Sequence, residues 1–186
     1  SFGGNYILVE PDSGDDITGL ATKGNKIIIF KERSVWQITL EQRAYKEINN
    51  ITLTALDPQV QLITAGVGCA SHRTIANVEN DLLFLAKGGR GIFVLGNEPG
   101  IIGDILRTNE VSVKIRPFFE SLTPAEEMNA CATYFNNKYF VGIPTKSQTI
   151  VFDRERSAWI GPWSFDANLF NVYYDSDDKA RLLKGN

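Results

Sequence analysis

The chain is poor in the residues on which most site chemistry is built. Its 186 residues include one histidine, two cysteines and one methionine. A structural zinc site needs about four Cys or His ligands at close spacing, and Cys69 with His72 supplies two of them. Cys69 and Cys131 form no motif, so the sequence reads as two reduced thiols in a cytosolically made protein rather than as a disulfide scaffold. No apolar run approaches the ~20 residues that a membrane-spanning helix requires. Positive charge is also short: 19 Lys and Arg against 22 Asp and Glu leave a formal net charge of −3. A broad nucleic-acid-binding face carries an excess of Lys and Arg, so this balance argues against one. Neither an initiator Met nor a signal-peptide pattern opens the chain, which fits a processed protein or a piece of a longer one.

What is present is β-forming and repetitive. Hydrophobic residues make up 43% and charged residues 22%, the balance of a globular chain, and 16 glycines with 11% aromatics suit short strands joined by tight turns. The stretch Gly24–Ile38 (GNKIIIFKERSVWQI) reads as a polar turn, an apolar strand, a second turn and an alternating strand. The pattern returns at Asn80–Leu95 (NDLLFLAKGGRGIFVL) and at Asn137–Phe152 (NKYFVGIPTKSQTIVF). The turn residues Asn25, Asn80 and Asn137 stand 55 and 57 residues apart, a period that marks a repeat architecture. Each copy has a leading strand, at Ile17–Thr22, Thr74–Val78 and Ala130–Phe135. A fourth leading strand, Leu169–Tyr174, is followed by a polar turn and Arg181–Leu183.

The run Ile27–Phe30 is apolar throughout, as expected of a strand buried on both faces, whereas Val35–Leu40 alternates. An inner strand buried on both faces and a half-exposed outer strand form the arrangement of a propeller blade. Ile28, Phe30, Leu83, Leu85, Phe140 and Val141 are therefore the expected core. Ile51–Leu56 is the expected fourth strand of the first repeat, and Ala158–Trp163 that of the third. Thr123-Pro124-Ala125-Glu126 forms a capping box with proline at the first helical position, so a short helical insertion is expected near 111–128. The expected fold is all-β: a β-propeller or part of one, a single domain over 1–186. Its repeats lie at about 17–56, 73–97 and 130–163, with a partial fourth at 168–186.

Candidate chemistry is thin. Gly66-Val67-Gly68-Cys69-Ala70-Ser71 approaches GxGxxG, but no strand–helix unit surrounds it and a dinucleotide site is not expected. Ser71 and His72 lack a nucleophile-elbow motif, and a turn histidine is the better reading. Asp12, Asp15 and Asp16, like Asp175, Asp177 and Asp178, supply hard oxygens but not the EF-hand order, so they read as solvated turns. Asp153–Trp159 resembles the Asp box of sialidase propellers loosely, without the glycine before the tryptophan, and reads as a charged turn. Lys31, Arg33, Lys87, Arg90, Arg107, Lys114 and Arg116 recur at turns, where charge keeps sheet edges soluble. Of the three tryptophans, Trp36 and Trp159 are expected between sheets and Trp163 at the surface. No catalytic residue, cofactor or metal is expected, and Trp163 is the candidate contact residue.

Five segments carry a family resemblance: SGDDITGL with GNKIIIFKERSVWQI; GCASHRTIANVENDLLFLAKGGRGIFVL; VSVKIRPFFESL; ACATYFNNKYFVGIPTKSQTIVFDRERSAW; and NVYYDSDDKARLLKGN. Together they resemble the β-propeller proteins in the tails of tailed bacteriophages, of the kind that form the tail nozzle or stabilise the connector. The resemblance implies a structural virion component, assembled in the host cytoplasm and working as an oligomer. Its implied partners are other tail or connector proteins and further copies of itself, around a channel that passes double-stranded DNA without reading its sequence. A carbohydrate-binding propeller that recognises a host surface is the alternative. The third reading, a glycosidase-type enzyme, would need paired carboxylates in a pocket, and a sequence offers no way to see such a pair. The first strand expected, Asn5–Val9, and the final strands are complementary halves of one blade. The expectation is completion by another chain or by absent sequence, with self-association of the isolated 186 residues, rather than closure in cis.

Overall fold

The computed structural model describes residues 6–48, 51–97, 105–165 and 167–185, with the backbone alone for 43–48 and 51–55. Among the described residues, fourteen strands fall into four antiparallel sheets, each a meander in chain order. Sheet one holds β1 (Ile17–Lys23), β2 (Lys26–Lys31), β3 (Ser34–Ile48) and β4 (Ile51–Ala65). Sheet two holds β5 (Ala76–Val78), β6 (Asp81–Ala86), β7 (Gly91–Asn97) and β8 (Leu106–Glu110). Sheet three holds β9 (Cys131–Phe135), β10 (Lys138–Ile143), β11 (Gln148–Asp153) and β12 (Ala158–Trp163). The hairpin β13 (Leu169–Tyr174) and β14 (Ala180–Gly185) stands last. Two short helices, α1 (Arg116–Glu120) and α2 (Pro124–Asn129), link sheets two and three. The capping box is formed: Thr123 Oγ1 accepts from the Glu126 N–H, and Glu126 Oε2 accepts from the Thr123 N–H at 2.7 Å.

The sheets stack face to face in chain order. Ile28, Phe30 and Val35 of sheet one pack on Leu82, Phe84 and Leu95 of sheet two. The Phe30 and Phe84 rings lie 4.9 Å apart at centroids, worth about 0.5–1.5 kcal/mol beyond the area they bury. The other face of sheet two, with Leu83, Leu85 and Ile92, meets Tyr139, Val141 and Ile150 of sheet three, and Phe119 and Leu122 fill the same core. Cys131 and Phe140 of sheet three then meet Phe170 and Leu182 of the hairpin. Charges tie neighbouring sheets along one rim. Asp81 of sheet two lies between Lys23 of sheet one, at 3.4 Å, and Arg154 of sheet three, at 4.0 Å.

Two glycines permit the closest approaches. A Cβ at Gly68 would stand 2.2 Å from the Lys31 carbonyl oxygen, because the chain leaving β4 crosses directly over the β2–β3 turn. The near-dinucleotide motif around Gly68 is thus a packing device. A Cβ at Gly142 would stand 2.8 Å from the Ala167 carbonyl oxygen, where sheet three meets the segment leading into the hairpin.

Several expectations need correction. Of the predicted core, Ile28, Phe30, Leu83, Leu85 and Val141 are buried, but Phe140 is half-buried and Tyr139 takes the interior. The reason is that Phe140 faces the two-stranded hairpin, which covers less of it than a full sheet would. Ile27, read as part of a doubly buried run, is 38% exposed. The first sheet runs to Ala65 rather than 56, and the second to Glu110 rather than 97, through the unforeseen strand β8. Tyr6–Val9 is not a strand, and Asn5 lies outside the described residues. Val9 instead packs on Ile29, Ile38 and Trp36, and the buried Lys31 ammonium holds this segment by donating to the Val9 and Glu10 carbonyls.

Candidate assembly surfaces

Surfaces, not clefts, carry the unexplained features. Sheet one continues into a ribbon. β2 pairs with β3 only as far as Thr39, whereas β3 and β4 stay paired to Ile48 and Ile51. Nine residues of β3 beyond Thr39 give a two-stranded projection of about 30 Å. Cross-strand partners share a face, so Trp36 with Leu62, Ile38 with Val60, Leu40 with Pro58 and Gln42 with Leu56 form one side. Gln37 with Gln61, Thr39 with Gln59 and Glu41 with Asp57 form the other. The first side is apolar; Val9 covers it at Ile38 and Trp36, and around them it is exposed, with Leu20 64% accessible, Leu56 61% and Leu40 50%.

The hairpin at the other end of the stack has the same character. Leu169, Tyr173 and Leu183 project from its outer face, opposite Phe170 and Leu182, and all three are exposed. Beside it, at the end of edge strand β12, lies Trp163, the residue singled out from the sequence, 41% exposed. Its ring is stacked on Phe165 with centroids 5.9 Å apart and planes at 29°. The Lys184 ammonium stands 5.2 Å from the centre of the Phe165 ring. Phe165 was missed in the sequence, although two rings two residues apart in extended chain fall on one side. A flat aromatic pair flanked by a cation can take an apolar side chain or the face of a sugar ring. Trp36 and Trp159 are half-buried; Trp159 packs on Phe119 and Phe152 and donates to the Val111 carbonyl at 3.0 Å.

The residues with chemical potential are engaged in structure. The Ser71 hydroxyl donates to the Ala130 carbonyl at 3.2 Å, not to His72, which begins a 3-10 turn. Asp15 accepts from the Arg33 N–H and the Ser34 hydroxyl. Asp175 accepts from the Asp177 and Lys179 N–H groups and from Arg181, and the Lys179 N–H and Arg181 hold its carboxyl below the ordinary carboxylate range. Asp153 is buried and accepts from the Arg156 N–H, closing the charged turn before β12. Glu127 is buried and accepts from the Gly88 and Gly89 N–H groups, which anchors α2 to the β6–β7 turn. Both cysteines are buried free thiols; burial pushes Cys69 up to about 11 and raises Cys131 as well, so neither is an activated nucleophile. Among the described residues, no group of three or more His, Cys, Asp or Glu side chains could hold a metal ion, and no helix is long and apolar enough to cross a membrane. A cleft of about 460 Å³ between sheet one and β8 is lined by Gln37, Gln61, Thr64, Arg107 and Thr108, with no carboxylate among the described residues.

No protein-family model matches the chain, and no curated protein sequence matches it.

Proposed function

We propose that this chain is a structural component of a bacteriophage tail, built as a β-propeller or part of one and acting by binding other virion subunits and further copies of itself. The observation that carries the proposal is the stack itself. Three four-stranded meanders and a hairpin pack in chain order and leave apolar side chains exposed at both ends, Leu20, Leu40 and Leu56 on sheet one and Leu169, Tyr173 and Leu183 on the hairpin. Exposed apolar faces of this kind mark protein–protein contact. The link to phage tails comes from the sequence segments that resemble tail propellers. The net charge of −3 suits a channel wall along which DNA passes without sticking, because phosphate binding comes from Lys and Arg. In this reading the protein is not an enzyme, and its place is the virion tail after assembly in the host cytoplasm. The test is quantitative mass spectrometry of purified virions with immunogold labelling of tails. Stoichiometric peptides and tail-localised gold are expected; absence from virions would end the proposal.

The Trp163–Phe165 stack favours one alternative, a carbohydrate-binding propeller that recognises a host surface. A glycan array tests it. Binding that disappears in Trp163→Ala would support it, and an array without signal would remove it.

A further inference from the structure

The repeat register assigns a direction to the stack, and with it the occupant of the open face of sheet one. Aligning Asn25, Asn80 and Asn137 places Ile27 and Ile29 opposite Leu82 and Phe84 in sheet two, and opposite Tyr139 and Val141 in sheet three. Leu82 and Phe84 face back onto sheet one, and Tyr139 and Val141 face back onto sheet two. The face that holds Ile27 is therefore the one that, in both later copies, receives the preceding sheet. The intervening residues point forward: Ile28 to sheet two, Leu83 to sheet three and Phe140 to the hairpin. In the hairpin Leu182 looks back onto sheet three, and Leu183 projects from the forward face. The molecule thus presents a receiving face that Val9 covers only at its centre, over Ile29, Trp36 and Ile38, leaving Leu20, Ile27 and Val60 accessible, and one uncovered forward face; both are apolar halves of a contact it already makes three times internally.

We infer that copies of this chain associate head to tail, with the forward face of the hairpin of one copy (Leu169, Tyr173, Leu183) seated on the receiving face of sheet one (Leu20, Ile27, Val60) of the next. Such a contact is heterologous. It propagates into an open series or closes into a ring, in contrast to a two-fold dimer in which identical patches meet. The inference deepens the assembly reading above and rests on it only for the existence of contacts between copies. Both faces occur in one chain, and their sense is fixed by the register.

The test uses the full chain and two charge substitutions at exposed positions, Leu20→Lys on the receiving face and Leu183→Lys on the forward face. Light scattering of the unsubstituted chain over a hundredfold concentration range is expected to show mass rising beyond that of two chains. Each variant alone is expected to stay a single chain. Their equimolar mixture is expected to give a capped dimer of one copy of each, because each keeps the face that the other has lost. Val60→Lys and Leu169→Lys replace the first pair if circular dichroism shows either variant unfolded. A concentration-independent mass of one chain for the unsubstituted protein overturns the inference. So does self-association by Leu183→Lys with none by Leu20→Lys, the mark of a two-fold contact, and so does a mixture that stays single. A chain found in virions but single in solution sinks this inference alone; a self-associating chain absent from virions sinks the tail assignment alone.

Discussion

The Tyr139 hydroxyl donates to the Thr74 carbonyl at 2.6 Å, and both residues are wholly buried. The bond crosses from sheet three to the turn that leads into sheet two, so the ring fills the core while its one polar atom is satisfied by backbone. Removing the hydroxyl as Tyr139→Phe leaves that carbonyl without its donor in a dry site, at a cost of about 1–3 kcal/mol. Urea denaturation should show a lower midpoint with an unchanged slope. An unchanged midpoint would mean that water replaces the bond and that the site is not dry.

Stability should fall on the alkaline side. Burial raises Cys69 from 9.0 to about 11, and it also raises Cys131 and the Tyr139 phenol. Each group is neutral inside the fold and ionises more readily in the unfolded chain. For Cys69 the contribution is complete below pH 9 and is lost as pH climbs from 9 towards 11, because the unfolded state releases its proton first. A two-unit difference at this fully buried thiol corresponds to roughly 2–3 kcal/mol. Urea midpoints measured from pH 7 to 10.5 should decline above pH 9, less steeply in Cys69→Ala. A Cys69→Ala profile as steep as that of the unsubstituted chain would assign the decline to other groups.

Phe30→Ala should cost about 3–5 kcal/mol, since its ring is fully buried against Phe84. Phe140→Ala should cost less, because the hairpin leaves that ring half-exposed. Thermal melts of both variants decide the order. Equal losses would mean that another surface covers Phe140 in solution.

Glu127 and Glu126 are neighbours with different duties. Glu127→Ala strips two glycine N–H groups in the β6–β7 turn of their acceptor inside the protein, at about 1–3 kcal/mol. Glu126→Ala removes half of an exposed capping box and should cost no more than about 1 kcal/mol. Chemical denaturation of the two variants should rank them in that order, and a reversal would place the anchor of α2 at its cap.

The sequence made the repeats legible because each strand pair is local and bounded by turn formers. β13 occupies the expected Leu169–Tyr174, β12 the expected Ala158–Trp163, and the Thr123–Glu126 box formed as written. β8 was invisible because its residues, LRTNE, are mostly polar and form an edge whose outer side needs no hydrophobic partner. The expected fourth strand ended at Leu56, whereas β4 continues through Asp57-Pro58 to Ala65. Proline is tolerated there because β4 is the edge strand of sheet one. Lys31 was read as a solvated turn charge. Its role as a buried clasp depends on carbonyls twenty residues upstream, which no local pattern encodes. The assembly faces were hidden for a related reason: an apolar position announces burial, and only the stack tells which buried-type faces have no neighbour. Trp163 stood out because proline and serine flank it, and its exposure follows.

The placement of Pro58 also governs how the ribbon can be approached from the side. An exposed edge strand offers a row of amide donors to any extended chain that drifts alongside it. At Pro58 one donor of that row is missing, near the point where the ribbon leaves the body of sheet one. A foreign strand running along β4 would lose its bonding there and meet a rigid ring instead. The projection can therefore present its apolar side to a partner while its β4 margin resists zippering into aggregates.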